Sequence, residues 1–424
     1  MINFGYTIYP NIAETPMAKL TIDDLQMKGK RVLVRVDFNV PLTPDLQVAD
    51  DKRIVAALPT IKKVIADGGK AILMSHLGRP DGEKKSEFSL KPVAAALSKL
   101  LDKPVAFAPD CVGPEAEKAV AAMKEGDVLL LENVRFYPEE EGKKAGVKMS
   151  KEERQWFIDA LAKLGDLYVD DAFGTAHRAH ATMAGLPAKL GKGASGYLMT
   201  KELDYFARVF DHPERPLLAI LGGAKISDKL LVIENLLSKV DSLMIGGAMA
   251  YTFLKAKGVA VGTSRVEADF IEKAKELFEI AKAKKVTLLL PVDHVIAAQF
   301  PEAGKEAHPA VTPGEAIPDG QMGLDIGPKT IELYCKEIAK SKTIVWNGPM
   351  GVFEVPGFEK GTYAVAEAMA NSGAVTVIGG GDSASAVKKA GVAKKMSHVS
   401  TGGGASLELM EGKLLPGVAA LTDK

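Results

Sequence analysis

Short runs rich in valine, isoleucine and leucine alternate along the chain with stretches whose apolar residues recur every three or four positions. That alternation predicts βαβ units, and so parallel sheets covered by helices on both faces. The first half supplies strands at RVLVRVD (31–37), KAILMSH (70–76), PVAFAP (104–109), VLLLEN (128–133) and LYVDDAF (167–173), with helical patterns such as RIVAALPTIKKVIADGG and LKPVAAALSKLL between them. The second half begins afresh with LLAILGG (217–223), SLMIGG (242–247), VTLLLPVD (286–293), TIVWNGP (343–349), VTVIGGG (375–381) and HVSTGGG (398–404). Two sheets of five or six strands are expected. Residues Met199 to Phe210 keep helical spacing up to His212-Pro213, which predicts a connecting helix. Pro138 to Ser150, acidic and then basic, reads as a solvated loop. Apolar runs such as Val128 to Leu131 and Val286 to Leu290 are strand-length and fall far short of the ~18 residues of a membrane span.

Ligands of open parallel sheets bind beyond the carboxyl ends of the strands, so the residues collected there carry the functional signal. In the first half these are Asp37 and Asn39, His76 and Arg79, Arg135, and His177, Arg178 and His180. In the second they are Gly222, Gly223 and Lys225, Gly246 and Gly247, Asn347, Gly380, Gly381, Asp382 and Ser383, and the Gly402–Gly404 triplet. One half offers cations, the other bare backbone.

Guanidinium forks hold carboxylate or phosphate through paired hydrogen bonds. Any one of these arginines is equally a surface residue in an ordinary ion pair; together, Arg53, Arg79, Arg135 and Arg178 point to a small, highly anionic substrate. The histidines lack a neighbouring carboxylate or thiolate motif that would argue for a metal, so they read as anion donors or structural residues. Glycine clusters at strand ends let backbone N–H groups approach phosphates, although each alone also suits a tight strand-to-helix turn. GGGDSA (379–384) fits the G-x-G-x-x-A dinucleotide pattern, whereas no G-x-x-x-x-G-K-[ST], G-x-S-x-G or H-E-x-x-H occurs. Asp382 suits either Mg²⁺ on the phosphates or a helix N-cap; Lys225, with Lys229 four residues on, suits either a phosphoryl contact or an exposed helix start; and Glu354 can accept from ribose hydroxyls.

Composition narrows the classes further. A chain of 424 residues suits two or three domains, and 47% hydrophobic with 25% charged residues is ordinary globular usage. Lys+Arg 54 against Asp+Glu 54 removes the simplest electrostatic case for a nucleic-acid or anionic-membrane partner. Cys111 and Cys335 are the only cysteines, with no CxxC, which excludes a disulfide framework or zinc ribbon and favours a reducing cytoplasm. Residues 1–16 fit neither a secretory signal nor a transit peptide, and Met17 reads as a start, so a disordered extension is expected before it. The 41 glycines are the one surplus, and they are denser in the second half.

The ordered motifs RVDFNVP (35–41), SHLGRP (75–80), LENVRF (131–136), DAFGTAHRAH (171–180), GGAKISDK (222–229), WNGPMGVFE (346–354), GGGDSA and STGGGASLELMEGK (400–413) resemble those of the phosphoglycerate kinase family. The resemblance spans 17–424. It implies Mg²⁺-dependent, reversible transfer of the acyl phosphate of 1,3-bisphosphoglycerate to ADP, giving 3-phosphoglycerate and ATP. It also implies two Rossmann-like domains, each a parallel sheet with helices on both faces. They would be a triose-phosphate-binding domain (17–195) and a nucleotide-binding domain (215–405), joined by a hinge helix (196–214), with 406–424 returning to the first. Asp37, Asn39, Arg53, His76, Leu77, Gly78, Arg79, Arg135 and Arg178 would bind the triose. Gly222, Gly223, Lys225, Lys229, Gly246, Gly247, Gly323, Asn347, Glu354, Gly380, Gly381, Asp382 and Ser383 would bind ADP or ATP, with Asp382 on Mg²⁺. Arg53, Lys225, Gly381 and Gly404 would serve the transfer itself. Apart from the resemblance, long charge-mixed helices with no obvious apolar patch are compatible with a monomer.

That chemistry needs no general acid or base, because the attacking phosphate oxygen is already anionic and the leaving group is a carboxylate. Alignment and charge stabilisation remain, with Arg53 and Lys225 expected to clamp the moving group after domain closure. Two rivals share the pattern. A nicotinamide dehydrogenase would place an acidic residue about 20 positions beyond its glycines, where the STGGG loop stands. A bilobal solute-binding protein would close on a ligand without turnover.

Overall fold

The computed structural model describes residues 19–301 and 308–424, and the extension expected at 1–16 lies outside them. The chain divides into two compact units: residues up to Ala172, Arg178–Thr200 and Pro416–Lys424 form the first, Phe173–His177 and Lys201–Leu415 the second.

The first unit holds β1 (Arg31–Val36), β2 (Lys70–Met74), β3 (Val105–Phe107), β4 (Val128–Leu130), a small hairpin of β5 (Lys143–Lys144) and β6 (Val147–Lys148), β7 (Leu167–Asp171) and β8 (Gly193–Ser195). Six of them form one sheet in the order β3-β4-β2-β1-β7-β8, every pair parallel. Side chains alternate strictly between its faces. Val32, Val34 and Val36 of β1 pack with Ala71 and Leu73 of β2 on one side, against Ile54, Ala57, Ile61 and Val64 of helix Lys52–Ala66. Leu33, Ile72, Met74 and Leu129 face the other side, against Ala116 and Val120 of helix Pro114–Ala121 and Phe157 and Leu161 of helix Lys151–Ala162. Each such aliphatic side chain taken fully out of water is worth about 1.5–3 kcal/mol, so the pattern selects the register: a one-residue slip would turn every inward residue outward.

The five predicted strands are present, and β8 joins them at the sheet edge. Its sequence, Gly-Ala-Ser, carries no β-branched or aromatic signal, and it is held by pairing to β7 and by Ser195 N donating to Leu20 O at 2.8 Å. Pro138 to Ser150 is not a plain loop. It contains helix Pro138–Glu141, ended by Gly142 in the left-handed region (φ 67°), and then the exposed β5–β6 hairpin.

In the second unit, β9 (Leu217–Leu221), β10 (Ser242–Ile245), β11 (Thr287–Leu289), β12 (His294–Ala297), β13 (Ala310–Val311), β14 (Met322–Ile326), β15 (Thr343–Asn347), β16 (Val375–Gly379) and β17 (His398–Val399) make two sheets. The larger, β11-β10-β9-β15-β16-β17, is all parallel and uses the six predicted strands. The smaller, β13-β12-β14, is antiparallel and was not expected from the sequence. Its strands are short, and β12 is interrupted by a register shift against β14 between Val295 and Ile296, so no sustained alternation marks them in the sequence. One face of the large sheet buries Leu218, Ile220, Ile344, Trp346 and Ile378 against Tyr334, Ile338, Val365 and Met369 of the helices Pro328–Lys340 and Lys360–Asn371.

Helix Tyr197–Phe210 starts two residues earlier than the spacing indicated. Asp171, at the end of β7, supplies its start: Oδ1 accepts from Leu198 N at 2.9 Å and Met199 N at 3.3 Å. The division between the units falls inside this helix, after Thr200. Helix Gly403–Met410 belongs to the second unit, so the segment counted with the first begins at Pro416 and not at 406. That tail is tied down by Leu20 N to Thr422 O (2.8 Å) and Thr422 N to Gly193 O (3.0 Å). No helix among the described residues is long and apolar enough to cross a membrane.

Candidate functional site

In the first unit a relay of hydrogen bonds joins the loops beyond β1, β2 and β4. Arg53, in the first turn of helix Lys52–Ala66, directs Nη1 at both Asp37 carboxylate oxygens (2.8 and 2.7 Å). Asp37 Oδ1 also accepts from Asn39 N at 3.3 Å, Asn39 Oδ1 accepts from Gly78 N at 2.9 Å, and Gly78 O accepts from Arg135 Nη1 at 2.8 Å. Asn133 completes it, donating Nδ2 to Leu77 O at 2.7 Å and accepting from Arg135 N at 3.0 Å. Gly78 must be glycine: φ is +63° and a Cβ would run into the Phe88 ring. The Arg53–Asp37 pair is partly exposed, and such pairs add at most about 1 kcal/mol to stability. The relay therefore places cations more than it holds the fold.

Two imidazoles sit beside these cations. Burial first, then the charges of Arg35, Arg135, His180 and Arg53, hold His76 well below the usual imidazole range. Burial and Arg135 push His180 down to about 3, with Arg35 and Arg178 acting in the same sense against Glu141. Both rings are neutral at pH 7. For His180 the folded state refuses a proton that the unfolded chain accepts near 6.5, so ν_U exceeds ν_N between pH 6.5 and about 3 and stability rises with pH there. Chemical denaturation of a His180→Gln variant should accordingly show a flatter loss of stability from pH 6.5 to 4 than the parent; an unchanged slope would refute the assignment. Arg79 and Arg178 are exposed, and their charges are felt at Arg135 and His180 respectively.

The second unit builds its site from backbone. Beyond β9, β10 and β15 three loops approach so closely that side chains are excluded. A Cβ on Gly222 would collide with Pro349 O, one on Gly247 (φ +67°) would lie 2.5 Å from Gly223 N and O, and one on Gly246 would lie 2.5 Å from Met350 Sδ. Beyond β16, Gly380 (φ +90°) turns the chain straight into helix Gly381–Lys389, and Ser383 Oγ in its first turn accepts from Gly348 N at 2.6 Å. Lys229 Nζ donates to Asn347 Oδ1, whose Nδ2 donates to Gly379 O at 3.0 Å. Burial lowers Lys229 to about 8, against the charges of Asp228, Asp382 and Glu411. A Cβ on Gly403 would lie 3.8 Å from Gly381 N, so a second helix start, Gly403–Met410, stands beside the first. Two adjacent helix N-termini that begin in glycine have the geometry of an anion cradle, since their first N–H groups lack partners within the helix.

Gly222, Gly223, Lys229, Gly246, Gly247, Asn347, Gly380, Gly381, Asp382, Ser383 and Gly404 thus belong to adjoining loops. Lys225 is half-buried in the same loop as Lys229, and its charge is felt at Glu267. Glu354 is exposed in the turns after β15, and no described hydrogen bond or ion pair ties it to the cradle. Gly323 lies in β14, where a Cβ would meet the Tyr251 hydroxyl, so its smallness serves that packing. Among the described residues no group of three or more His, Cys, Asp or Glu gathers as a metal site, and Asp382 is exposed in the first turn of its helix. His177, grouped by sequence with the first-half cations, counts with the second unit, and a Cβ on Gly404 would lie 2.8 Å from its Nε2.

Sequence reasoning passed over Arg35, Glu140 and Thr182. Arg35 interrupts an apolar strand run, which is the one signal that marked it: a charged residue at an inward position needs buried partners.

The family model described as phosphoglycerate kinase matches residues 22–413. The phosphoglycerate kinase of Gloeobacter violaceus is 56% identical over 420 residues, covering 96% of this chain and 100% of its own length. The cytosolic phosphoglycerate kinase of Crithidia fasciculata is 55% identical over 423 residues, covering 96% and 99%. The solved structure of phosphoglycerate kinase from Coxiella burnetii superposes with a TM-score of 0.85 at 40% identity, covering 95% of this chain and 98% of that one.

Proposed function

The chain belongs to the phosphoglycerate kinase family, and from that premise we propose that it moves a phosphoryl group reversibly between the carboxyl group of 3-phosphoglycerate and ADP. The cation relay of the first unit takes the triose and the glycine cradle of the second takes the nucleotide. The observation that carries the assignment is Gly381. A Cβ there would meet nothing within 4 Å, so packing does not demand glycine, yet its N–H opens a helix between Gly380 and Asp382. Close approach of a phosphate explains it.

Mg²⁺ fits this donor set, since it binds through substrate phosphates and one or two carboxylates, and Asp382 offers one at the cradle. When bound, it would neutralise charge on the phosphate oxygens. The residues themselves align the reactants: Arg53 and Lys225 clamp the moving group, and the N–H groups of Gly381 and Gly404 receive its charge. No side chain takes a proton, because neither the attacking oxygen nor the leaving carboxylate requires one. Reaction between substrates held on different units calls for closure, which also keeps water from the acyl phosphate. X-ray scattering should then give a smaller radius of gyration with both substrates than with neither.

The deciding assay supplies 3-phosphoglycerate, ATP and Mg²⁺ and couples acyl phosphate formation to a reporter dehydrogenase. Turnover requiring all three supports the reading, and none at millimolar substrates ends it. Free thiols at Cys111 and Cys335 support a reducing cytoplasm as its compartment. Light scattering at the one-chain mass of 45.0 kDa would support a monomer.

A further inference from the structure

Beneath the cation relay lies a fully buried polar cluster that the transfer chemistry does not itself use. Arg35 is on β1, and by alternation it faces the same side as Leu33, where an apolar residue would be expected. Its Nε donates to Thr182 Oγ1 at 2.9 Å, its Nη1 donates to Val36 O, and its Nη2 lies 3.2 Å from His76 Nδ1. Thr182 is fixed in turn. Its Oγ1 donates to Glu140 Oε1 at 2.6 Å, its N donates to Oε2 at 2.9 Å, and its carbonyl accepts from Tyr168 OH at 2.7 Å. Glu140 is also fully buried, and its Oε1 lies 4.0 Å from Arg35 Nη2 and 3.8 Å from His180 Nδ1. An uncompensated buried guanidinium would cost several kcal/mol, so this carboxylate is what permits Arg35 to stand there.

The contact with His76 has only one chemical meaning. A guanidinium has donors and no lone pair, so Nδ1 must accept, and a neutral imidazole then carries its proton on Nε2. The ionisable groups facing His76 come from every neighbouring element: Arg35 on β1, Arg53 on the following helix, Arg135 beyond β4 and His180 beyond β7. The Glu140 carboxylate stands behind Arg35, 4.0 Å from the Nη2 that meets the ring. We propose that Arg35 is a positioning residue that locks His76 as the Nε2–H tautomer, giving the triose anion one fixed, uncharged donor. The inference rests on the first-unit cluster being the triose site. The direction of the His76 shift, well below the imidazole range, agrees with it.

Long-range ¹⁵N–¹H correlation on ligand-free protein with labelled histidines reads the tautomer directly, and seven histidines make assignment by single substitution practical. The expected result is a His76 ring protonated on Nε2 alone and unchanged from pH 8 to pH 5. A proton on Nδ1, or a doubly protonated ring within that range, overturns the proposal without any variant. In Arg35→Met the ring should become a mixture of the two neutral tautomers, with an Nδ1–H signal that the parent lacks. Its KM for 3-phosphoglycerate at pH 7 should rise about tenfold over the parent, because the Nδ1–H form presents no donor at Nε2. A folded Arg35→Met protein with the parental His76 spectrum refutes the lock. Because the spectrum is recorded without substrate, absence of turnover would count against the functional reading and leave the tautomer assignment standing.

Discussion

Arg53→Ala and Lys225→Ala should each lower kcat by about 10²–10³-fold while leaving the thermal midpoint within a degree or two of the parent. The asymmetry between rate and stability follows from where the two cations sit. Arg53 is part-exposed and paired with Asp37, a contact worth at most about 1 kcal/mol to the fold. Lys225 is half-buried in a loop and fills no core position. Charge on the moving phosphoryl group peaks in the transition state, so a cation aimed at it acts there more than on bound substrate, and its loss falls on kcat before KM. Steady-state kinetics over saturating 3-phosphoglycerate and ATP separates the two. A kcat within a few-fold of the parent for both variants would mean that neither residue touches the transferring group. A loss confined to KM would make them substrate anchors and remove the clamp.

The parts of the fold that were legible in the sequence are those whose signal is local. All eleven apolar runs that alternate with helical spacing became strands of the two parallel sheets, because buried parallel strands demand continuous Val, Ile and Leu. β8 was not legible: Gly-Ala-Ser has no such run, and it becomes a strand only because β7 and the 20–22 segment meet it. The antiparallel β13-β12-β14 sheet depends likewise on pairings up to 32 residues apart, His294 with Ile326. In the site, arginines and glycines at strand ends stood out by composition. The Arg35–Thr182–Glu140–His76 cluster did not, since Arg35 and Thr182 are 147 positions apart and only the fold brings them together. Nor does a glycine doublet reveal which of its members the fold needs.

That last distinction has a measurable consequence, because Gly222 and Gly381 look alike in sequence and differ in their surroundings. A Cβ on Gly222 would enter the space of Pro349 O, and both partners are backbone, so neither can swing aside. Gly222→Ala should therefore lose about 2–4 kcal/mol of stability, together with the loop geometry that places Lys229 and Asn347. At Gly381 the same methyl meets nothing within 4 Å, and the position is the first of a helix, where alanine costs the backbone less entropy than glycine. Gly381→Ala should be as stable as the parent, or more stable by about 0.5 kcal/mol. Its penalty should appear only with nucleotide, as a KM for ATP raised about tenfold or more and a matching loss of thermal protection by ADP. Urea unfolding and ADP-dependent melting of the two variants test this together. If Gly381→Ala melts early without nucleotide, glycine there serves the fold. If it binds ADP like the parent, no phosphate approaches that N–H, and the cradle must be drawn from the neighbouring loops instead.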